Sequence, residues 1–214
     1  MTHISVKKIL FGVCFLFLGM SGVHAQFIRQ IAPNYFMAGV PTAEFEYMRA
    51  TSVNKGAQIQ SNWCWAACVQ MTLNYHGLYV TQMDVVTRIF GSPYVNRPAG
   101  QRELLTALSG WAPDTRGRIS AIHADASFTT PQQMVRGLSQ KWPLIVGLSN
   151  PSGGVGHAYV MTGIYYSLDV YGNPVPDKVV LRDPWPTSPS RQEMSWNEFA
   201  SRAGIIIKVW VNRI

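Results

Sequence analysis

A polar loop in this chain runs directly into an apolar helix, and a cysteine stands at the junction. The residues read Gln58-Ile59-Gln60-Ser61-Asn62-Trp63-Cys64-Trp65-Ala66-Ala67-Cys68. The helix predicted from Cys64 to Tyr75 has apolar residues on more than one side and is closed by Gly77. Such a helix is typically central and buried on most of its surface. The sequence therefore predicts a fold built around this helix.

The position of Cys64 at the helix start indicates a reactive thiol. The unpaired N–H groups and the positive dipole end of a helix stabilise a nearby thiolate. A thiol with a lowered pKa is a usable nucleophile at neutral pH. We therefore interpret Cys64 as the nucleophile of a hydrolase and Cys68, four residues later, as a buried core thiol.

An imidazole and a carboxylate follow in the order that a Cys-His-Asp hydrolase would need. His157 follows a glycine-rich stretch and begins a predicted strand, and Asp183 ends another strand just before a proline. His157 would be the general base and acid, and Asp183 would orient its ring. Asp177 is the alternative carboxylate. The two other histidines after residue 25, His76 and His123, carry no such pattern.

An oxyanion hole needs hydrogen-bond donors that are fixed before the reaction. The backbone N–H of Cys64 is one candidate, and the side-chain amide of Gln58 or Gln60 is the second. The sequence leaves open which of the two glutamines serves.

Three tryptophans, Trp63, Trp65 and Trp185, adjoin the candidate site residues. Core packing is the favoured interpretation for each of them. One of them could instead shield the bond between the histidine and the carboxylate from water, or wall the cleft.

Residues 1–25 have the pattern of a signal peptide. Lys7 and Lys8 precede an apolar run over 9–23, and small residues stand before the predicted cleavage after Ala25. The run is short for a membrane-spanning helix, and Cys14 in its middle is misplaced for lipid attachment. We expect an exported protein, periplasmic or secreted, with no stable membrane anchor after cleavage.

Removing 25 of the 214 residues leaves 189, with 16 basic and 11 acidic side chains and a net charge of +5. That length suits one domain with its own core. The charges are scattered, so nucleic-acid binding is disfavoured. Cys64 and Cys68 are spaced poorly for a disulfide on a helix, and neither zinc-type cysteine spacing nor another cofactor motif is present. We expect no metal, no cofactor and a monomer.

Helical patterns come first along the chain and strand patterns later, which predicts an α+β fold with an antiparallel sheet. Residues 26–57 have no clean period and are interpreted as an N-terminal arm, and 58–214 as the catalytic domain. The predicted helices are 64–75, 81–90, 101–108, 130–140 and 196–202, and the predicted strands are 144–148, 157–166, 178–181 and 205–211.

With these motifs the chain resembles papain-like cysteine proteases. The Cys64-Trp65 step and Gln58, six residues before the cysteine, match the papain pattern of glutamine, cysteine and tryptophan. The closer similarity is to bacterial papain-like proteases secreted as plant-pathogen effectors. Their nucleophile motif resembles residues 61–67, and a Gly-His-Ala-like motif and an Asp-Pro motif follow. The resemblance covers roughly residues 55–190.

The resemblance implies a papain-like fold whose helical N-terminal half packs its nucleophile helix on a C-terminal antiparallel sheet. It implies that Cys64 is the nucleophile, His157 the base and acid, Asp183 the orienting group and Gln58 the oxyanion donor. The gap of 93 residues between Cys64 and His157 is shorter than the roughly 130–150 of papain itself. The orienting residue is also Asp rather than Asn.

The function predicted from these residues is an exported thiol endopeptidase that acts on proteins or peptides through an acyl-enzyme. Three alternatives remain open. The chain could be a transglutaminase-like acyltransferase, which differs in the acceptor that resolves the acyl-enzyme. It could be a hydrolase of peptidoglycan stem peptides. It could also be a papain-like fold used as a binding module, which the complete set of catalytic residue types disfavours.

Overall fold

The computed structural model describes residues 27–127, 130–150 and 156–212. The predicted signal peptide lies outside these residues. The helices in the described ranges are α1 (Thr42–Thr51), α2 (Cys64–Tyr75), α3 (Gln82–Phe90), α4 (Gln101–Ala107), α5 (Pro131–Ser139) and α6 (Trp196–Arg202), with a short 3₁₀ turn at Val53–Gly56. The strands are β1 (Ile28–Ala32), β2 (Tyr35–Gly39), β3 (Ala121–Asp125), β4 (Leu144–Leu148), β5 (His157–Leu168), β6 (Pro174–Arg182), β7 (Arg191–Ser195) and β8 (Ala203–Asn212).

The described strands form one antiparallel sheet. Its main order is β1-β2-β5-β4-β8-β3, and β6 pairs with both β5 and β7. The long strand β5 therefore links the two parts of the sheet, because it pairs with β2, β4 and β6. This arrangement confirms the predicted α+β class with an antiparallel sheet.

The central strands are buried on both faces. Ala158 and Val160 of β5 belong to a hydrophobic cluster with α2, whereas Tyr159 and Met161 belong to a second cluster with α5 and α6. Alternate side chains of a strand point to opposite faces, so each face of β5 supplies one layer of core. Helix α2 lies in the first layer and is buried along most of its length, as its apolar pattern predicts.

Local sequence signals place several of the helix starts. The Thr81 side chain accepts a bond from the Asp84 N–H, and the Asp84 carboxylate accepts one from the Thr81 N–H, which together form a capping box. Thr130 starts α5 with Pro131 at its first position. Ser195 accepts a bond from the N–H of Glu198 at the start of α6.

The N-terminal arm contains regular secondary structure, although its sequence has no clean period. Its described part forms the hairpin β1–β2 and helix α1, and β2 is hydrogen-bonded to β5 along its whole length. Phe45 and Met48 of α1 are buried in the core around α2. Residues 28–32 lack a clear signal because β1 is an exposed edge strand, so its sequence is not required to alternate between core and solvent.

Cys64 and Cys68 are both free thiols within the described residues, Cys64 half-buried and Cys68 fully buried. Across the described ranges, every helix falls short of the length and apolar character needed to cross a membrane.

Candidate active site

Cys64 is the first residue of α2 and opens onto a cleft of about 550 Å³. The cleft lies between the start of α2, the loop that follows α3, and the adjoining ends of β4, β5 and β8. Its lining residues are Ser61, Asn62, Cys64, Trp65, Pro98, Ala99, Leu104, Gly147, Leu148, Ser149, Gly156, His157, Ala158, Trp185, Gly204 and Ile205. None of these residues comes from the described part of the N-terminal arm, so the arm does not cover this cleft.

Strand pairing brings His157 and Asp183 together. His157 is the first residue of β5, and Asp183 directly follows β6. Because β5 and β6 are antiparallel neighbours, with Val160 opposite Arg182, the start of one strand lies beside the end of the other. The His157 Nε2 is 2.7 Å from the Asp183 Oδ1, and the two side chains are 25% and 6% exposed.

The thiol of Cys64 is hydrogen-bonded to His157. Burial alone would raise the pKa of Cys64. The bond to His157 and the backbone N–H groups of Ala158 and Trp65 lower this pKa by more, so the net direction is down. Since Nε2 of His157 is bonded to Asp183, Nδ1 is the ring nitrogen left for the thiol. The N–H of Trp65 at the helix start contributes to this lowering, but less than His157 and the N–H of Ala158.

The imidazole has the opposite shift. Burial lowers the pKa of His157, but hydrogen bonds to Asp183 and Cys64 outweigh it and raise the pKa to about 9. Burial also opposes ionisation of Asp183, and the bond to His157 and the Trp185 N–H keep the pKa of that carboxyl below its usual value. Both shifts favour the form of the pair in which a thiolate lies beside an imidazolium.

Asp183 has partners that the sequence did not reveal. Its Oδ1 also accepts a bond from the N–H of Trp185 at 2.8 Å, and its Oδ2 accepts one from the Nε2 of Gln192 at 2.9 Å. The Ser188 side chain also hydrogen-bonds this carboxyl. Gln192 was missed because β7 was not predicted. Residues 191–195 are polar apart from Met194, so the sequence carries no alternation of apolar and polar residues that would indicate this strand.

Aromatic rings surround the imidazole edge-on. The ring centroids of Tyr159 and Trp185 lie 4.7 Å and 6.2 Å from that of His157. Trp185 is 43% exposed and lines the cleft, so it separates the histidine from open solvent on one side. This is the shielding position that the sequence allowed for one of the three tryptophans.

Trp63 and Trp65 are buried, in accord with core packing, but they also bind a neighbouring loop. Their indole N–H groups donate to the carbonyls of Val95 and Arg97 at 2.9 Å and 3.0 Å. The loop that carries Pro98 into the cleft wall is thus attached to the nucleophile helix.

The amide of Gln58 is directed toward its own loop. Its Nε2 donates to the carbonyls of Gln60 and Ser61 at 2.9 Å and 3.1 Å, which uses both N–H bonds of the amide. The Gln58 side chain is buried, whereas Gln60 is exposed. The role of either glutamine as oxyanion donor stays a prediction.

The remaining sequence candidates lie away from the cleft. Asp177, the alternative carboxylate, accepts a hydrogen bond from the Tyr35 hydroxyl at 2.6 Å on the edge of the sheet. His123 stacks on Trp210, and His76 follows α2 at the end opposite Cys64. Within the described part of the chain, no group of three or more His, Cys, Asp or Glu side chains could hold a metal ion.

The fold and the site define a papain-like cysteine peptidase, and comparison with known proteins gives the family. The family described as papain-like cysteine protease AvrRpt2 matches residues 48–204, which is more than half of the chain. The chain therefore belongs to this family. A search of curated proteins found no match.

Among solved structures, the peptidase domain of Streptococcus ComA, a bi-functional ABC transporter involved in a quorum-sensing pathway, matches with a TM-score of 0.46 and 13% identity. That match covers 74% of this chain and 96% of the other. The peptidase domain of Streptococcus mutans ComA matches with a TM-score of 0.39 and 13% identity, over 73% and 97% of the two chains.

Proposed function

We propose that the chain is an exported thiol endopeptidase that uses Cys64, His157 and Asp183 as a triad. The observation that carries the proposal is the continuous chain of hydrogen bonds from thiol to imidazole to carboxylate, at the mouth of the cleft. The pKa of Cys64 is lowered and that of His157 is raised to about 9, which favours the reactive ion pair.

In the proposed reaction the Cys64 thiolate attacks the carbonyl carbon of a peptide bond. The oxyanion that forms accepts a hydrogen bond from the backbone N–H of Cys64. It accepts a second one from the side-chain amide of Gln58, after the loop that carries Gln58 rearranges. His157 transfers its proton to the leaving amine, and a thioester remains on Cys64. His157 then removes a proton from water, which attacks the thioester and releases the acid. The thiolate leaves and the imidazolium is restored.

The composition of the cleft supports protein segments as substrates rather than peptidoglycan stem peptides. Apart from His157, no cleft-lining side chain in the described ranges can carry a charge other than the Cys64 thiolate. Stem peptides carry free carboxylates, which bind most strongly to cationic side chains. The cleft offers Pro98, Ala99 and Ile205 instead, which suit uncharged side chains beside the bond that is cut.

Alkylation with iodoacetamide at pH 6, followed by mass spectrometry, tests the nucleophile. Cys64 should react much faster than Cys68, whose pKa is raised by full burial. Equal rates, or faster loss of Cys68, would contradict the assignment. Peptide cleavage, unlike alkylation, should weaken above a pH of about 9, where His157 loses its proton. It then can no longer protonate the leaving amine.

The products on casein separate the peptidase from the acyltransferase. If water resolves the acyl-enzyme, new amino termini appear and no ammonia is released. If a lysine amine resolves a glutamine acyl-enzyme, ammonia and cross-linked products accumulate. Ammonia without new termini would exclude the peptidase.

Export is part of the same proposal and rests on the pattern of residues 1–25. Amino-terminal sequencing of the protein recovered outside the cytoplasm should begin at Gln26. A mature chain that still begins at Met1 would contradict it.

A further inference from the structure

We propose that Gln192 is a positioning residue that holds the Asp183 carboxylate in the orientation His157 requires. The inference rests on the triad proposed above and extends it by one residue. Gln192 Nε2 donates to Asp183 Oδ2 at 2.9 Å, while Asp183 Oδ1 faces the His157 Nε2 at 2.7 Å. Oδ1 thus faces His157 on β5 and the N–H of Trp185, and Oδ2 accepts the amide of Gln192 on β7.

The register of the sheet fixes this contact. Gln192 is paired with Leu181 on β6, and the N–H of Asp183 donates to the carbonyl of Ser190 at 2.8 Å. Residues opposite each other in an antiparallel pair share a face, and so do residues two apart on one strand. Gln192 and Asp183 therefore lie diagonally on the same face, within reach of a long side chain. A slip of one residue would turn Gln192 to the other face.

The amide of Gln192 can take only one orientation. Its Nε2 also points to the carbonyl of Pro189 at 3.4 Å, so both neighbours of this nitrogen are acceptors. If the amide were flipped, its oxygen would face a carboxylate and a carbonyl, and both contacts would be repulsive. The nitrogen is therefore the atom that meets Asp183.

The consequence for the reaction follows from burial. The Asp183 side chain is 6% exposed, so water cannot readily replace a lost donor to Oδ2, and a buried carboxylate without its donors is costly. Without Gln192 the carboxylate keeps the Trp185 N–H and the Ser188 side chain but loses its donor on β7, so Oδ1 is held less firmly in line with the ring. The imidazole then loses the orientation that places Nδ1 against Cys64.

The test compares Gln192→Met, which keeps the length of the side chain but has no donor, with Gln192→Glu, which has nearly the same shape. Gln30→Met serves as the matched control, because Gln30 lies on the exposed edge strand β1 and its side-chain amide donates to the carbonyl of Ala32, far from the site. Steady-state cleavage of denatured casein and the pH dependence of Cys64 alkylation are measured for all three. Thermal unfolding monitors the fold.

Gln192→Met is expected to lower kcat about ten- to hundredfold, which corresponds to losing a hydrogen bond to a charged group, with KM changed by less than about twofold. Gln192→Glu is expected to be equally impaired at pH 8, where its carboxylate repels Asp183. It should recover relative to Gln192→Met as the pH falls toward 5, because a protonated carboxyl group can donate. Gln30→Met should match the wild type.

A kcat for Gln192→Met within about twofold of the wild type overturns the inference. Identical pH profiles of kcat for Gln192→Glu and Gln192→Met also overturn it. If Gln192 only filled space, a side chain that can donate when protonated and one that never donates would show the same pH dependence. Alkylation of Cys64 at pH 6 needs no substrate, and it should slow in Gln192→Met. If the wild type reacts at Cys64 but cleaves no protein, the peptidase proposal fails while this readout still decides the role of Gln192.

Discussion

One imidazole connects the nucleophile to the carboxylate, so single substitutions around it should have graded effects. His157 is bonded to both Cys64 and Asp183, and in the proposed reaction it serves as acid in one half and as base in the other. In that proposal Asp183 acts on the substrate only through the ring. The loss of His157 therefore removes more of the chemistry than the loss of Asp183.

We predict that Asp183→Asn keeps the most activity of three variants, Asp183→Ala keeps less, and His157→Ala keeps the least. Asn can still accept a hydrogen bond from the ring, Ala cannot, and His157→Ala removes acid and base together. Only the order is predicted and not the size of each loss, because the effects of substituting residues that act as a unit do not add. Cleavage of denatured casein measures activity, and circular dichroism confirms folding.

Asp177→Ala is the matched control for that series. Asp177 lies on the same strand as the residues before Asp183, but its carboxylate binds the hydroxyl of Tyr35. Activity should be unchanged. If Asp177→Ala abolished cleavage while Asp183→Ala remained folded and active, the carboxylate would be misassigned.

The residue just before His157 is Gly156, and the space around it leaves no room for a side chain. A Cβ at this position would lie 2.3 Å from the carbonyl oxygen of Leu148, where β4 and β5 meet. We predict that Gly156→Ala shifts the start of β5, destabilises the protein by about 1–3 kcal/mol and lowers kcat by displacing His157. Thermal unfolding and casein cleavage measure the two effects.

Gly204→Ala is a suitable control, because the nearest atom to its Cβ is 3.9 Å away. Its unfolding midpoint should equal that of the wild type. If Gly156→Ala were as stable and as active as Gly204→Ala, the close approach of β4 to the chain before His157 would not constrain the site.

At the scale of elements, helix α1 holds the strand end that carries Asp183. Arg182, 1% exposed and next to the carboxylate, forms an ion pair with Glu46 of α1. Arg49 of the same helix donates to the hydroxyl of Ser190. The N–H of Gln58 donates to the carbonyl of Pro184 at 2.8 Å. The N-terminal arm thus supports the segment on which the orienting carboxylate lies.

We predict that Glu46→Gln lowers the free energy of unfolding by about 1–3 kcal/mol, because it leaves the buried Arg182 with an uncharged partner. Activity should fall as well, since the segment after β6 loses part of its support. Glu198→Gln is the control. Glu198 pairs with Arg202 on the surface of α6 with half of its side chain exposed, and such pairs contribute about 1 kcal/mol or less. Equal losses in the two variants, measured by urea unfolding, would contradict the role of α1.

The loop after α3 is attached to the nucleophile loop through Asn96. The Oδ1 of Asn96 accepts the N–H of Asn62 at 3.0 Å, its Nδ2 donates to the hydroxyl of Ser61 at 3.0 Å, and its carbonyl accepts the Asn62 amide at 3.3 Å. This contact positions Pro98 and Ala99 as one wall of the cleft. In the proposed function this wall would contact the substrate away from the bond that is cut.

We therefore predict that Asn96→Ala raises KM for casein several-fold and changes kcat much less, since about 1 kcal/mol per lost hydrogen bond is expected in binding. Tyr94→Ala is the control, because Tyr94 is in the same loop but its side chain is almost fully exposed. A large fall in kcat with unchanged KM would mean that the loop aligns Cys64 rather than the substrate.

For the whole molecule, the N-terminal arm is part of the sheet and not a cover for the cleft. Met37 and Ala38 of β2 and Val40 after it are buried, and β2 pairs with β5, the strand that begins at His157. A removable inhibitory segment would lie over the cleft, but the cleft-lining residues lie after residue 60.

We predict that deleting residues 26–41 does not activate the enzyme. Loss of burial of Met37 and Val40 alone costs about 3–6 kcal/mol, a large part of the stability of a domain of this size. The unfolding midpoint should fall and activity with it, whereas the chain that begins at Gln26 should be stable and active. A truncated protein with higher activity and an unchanged midpoint would contradict this view of the arm.

The buried elements around the site could be predicted from the sequence, and the strands at the edges of the sheet could not. Helix α2 has the predicted bounds, and β4 does too, because buried elements must carry uninterrupted apolar residues. Helix α1 was not predicted, and neither were the strands β1, β2, β3 and β7. These strands are short and lie at or near the edges of the sheet, where the hydrogen bonds are made by backbone and no side-chain pattern is needed.

The sequence by itself determined the chemistry that the site can perform and the helix that carries it. A cysteine at the start of an apolar helix, a histidine at the start of a strand and an aspartate at the end of another are local patterns, because each depends on a few neighbouring residues. Only the tertiary structure decided which groups meet. The choice of Asp183 over Asp177, the contact of Gln192 with the carboxylate and the direction of the Gln58 amide depend on strand register and loop packing. Those are set by contacts between residues far apart in the chain, which no local pattern encodes.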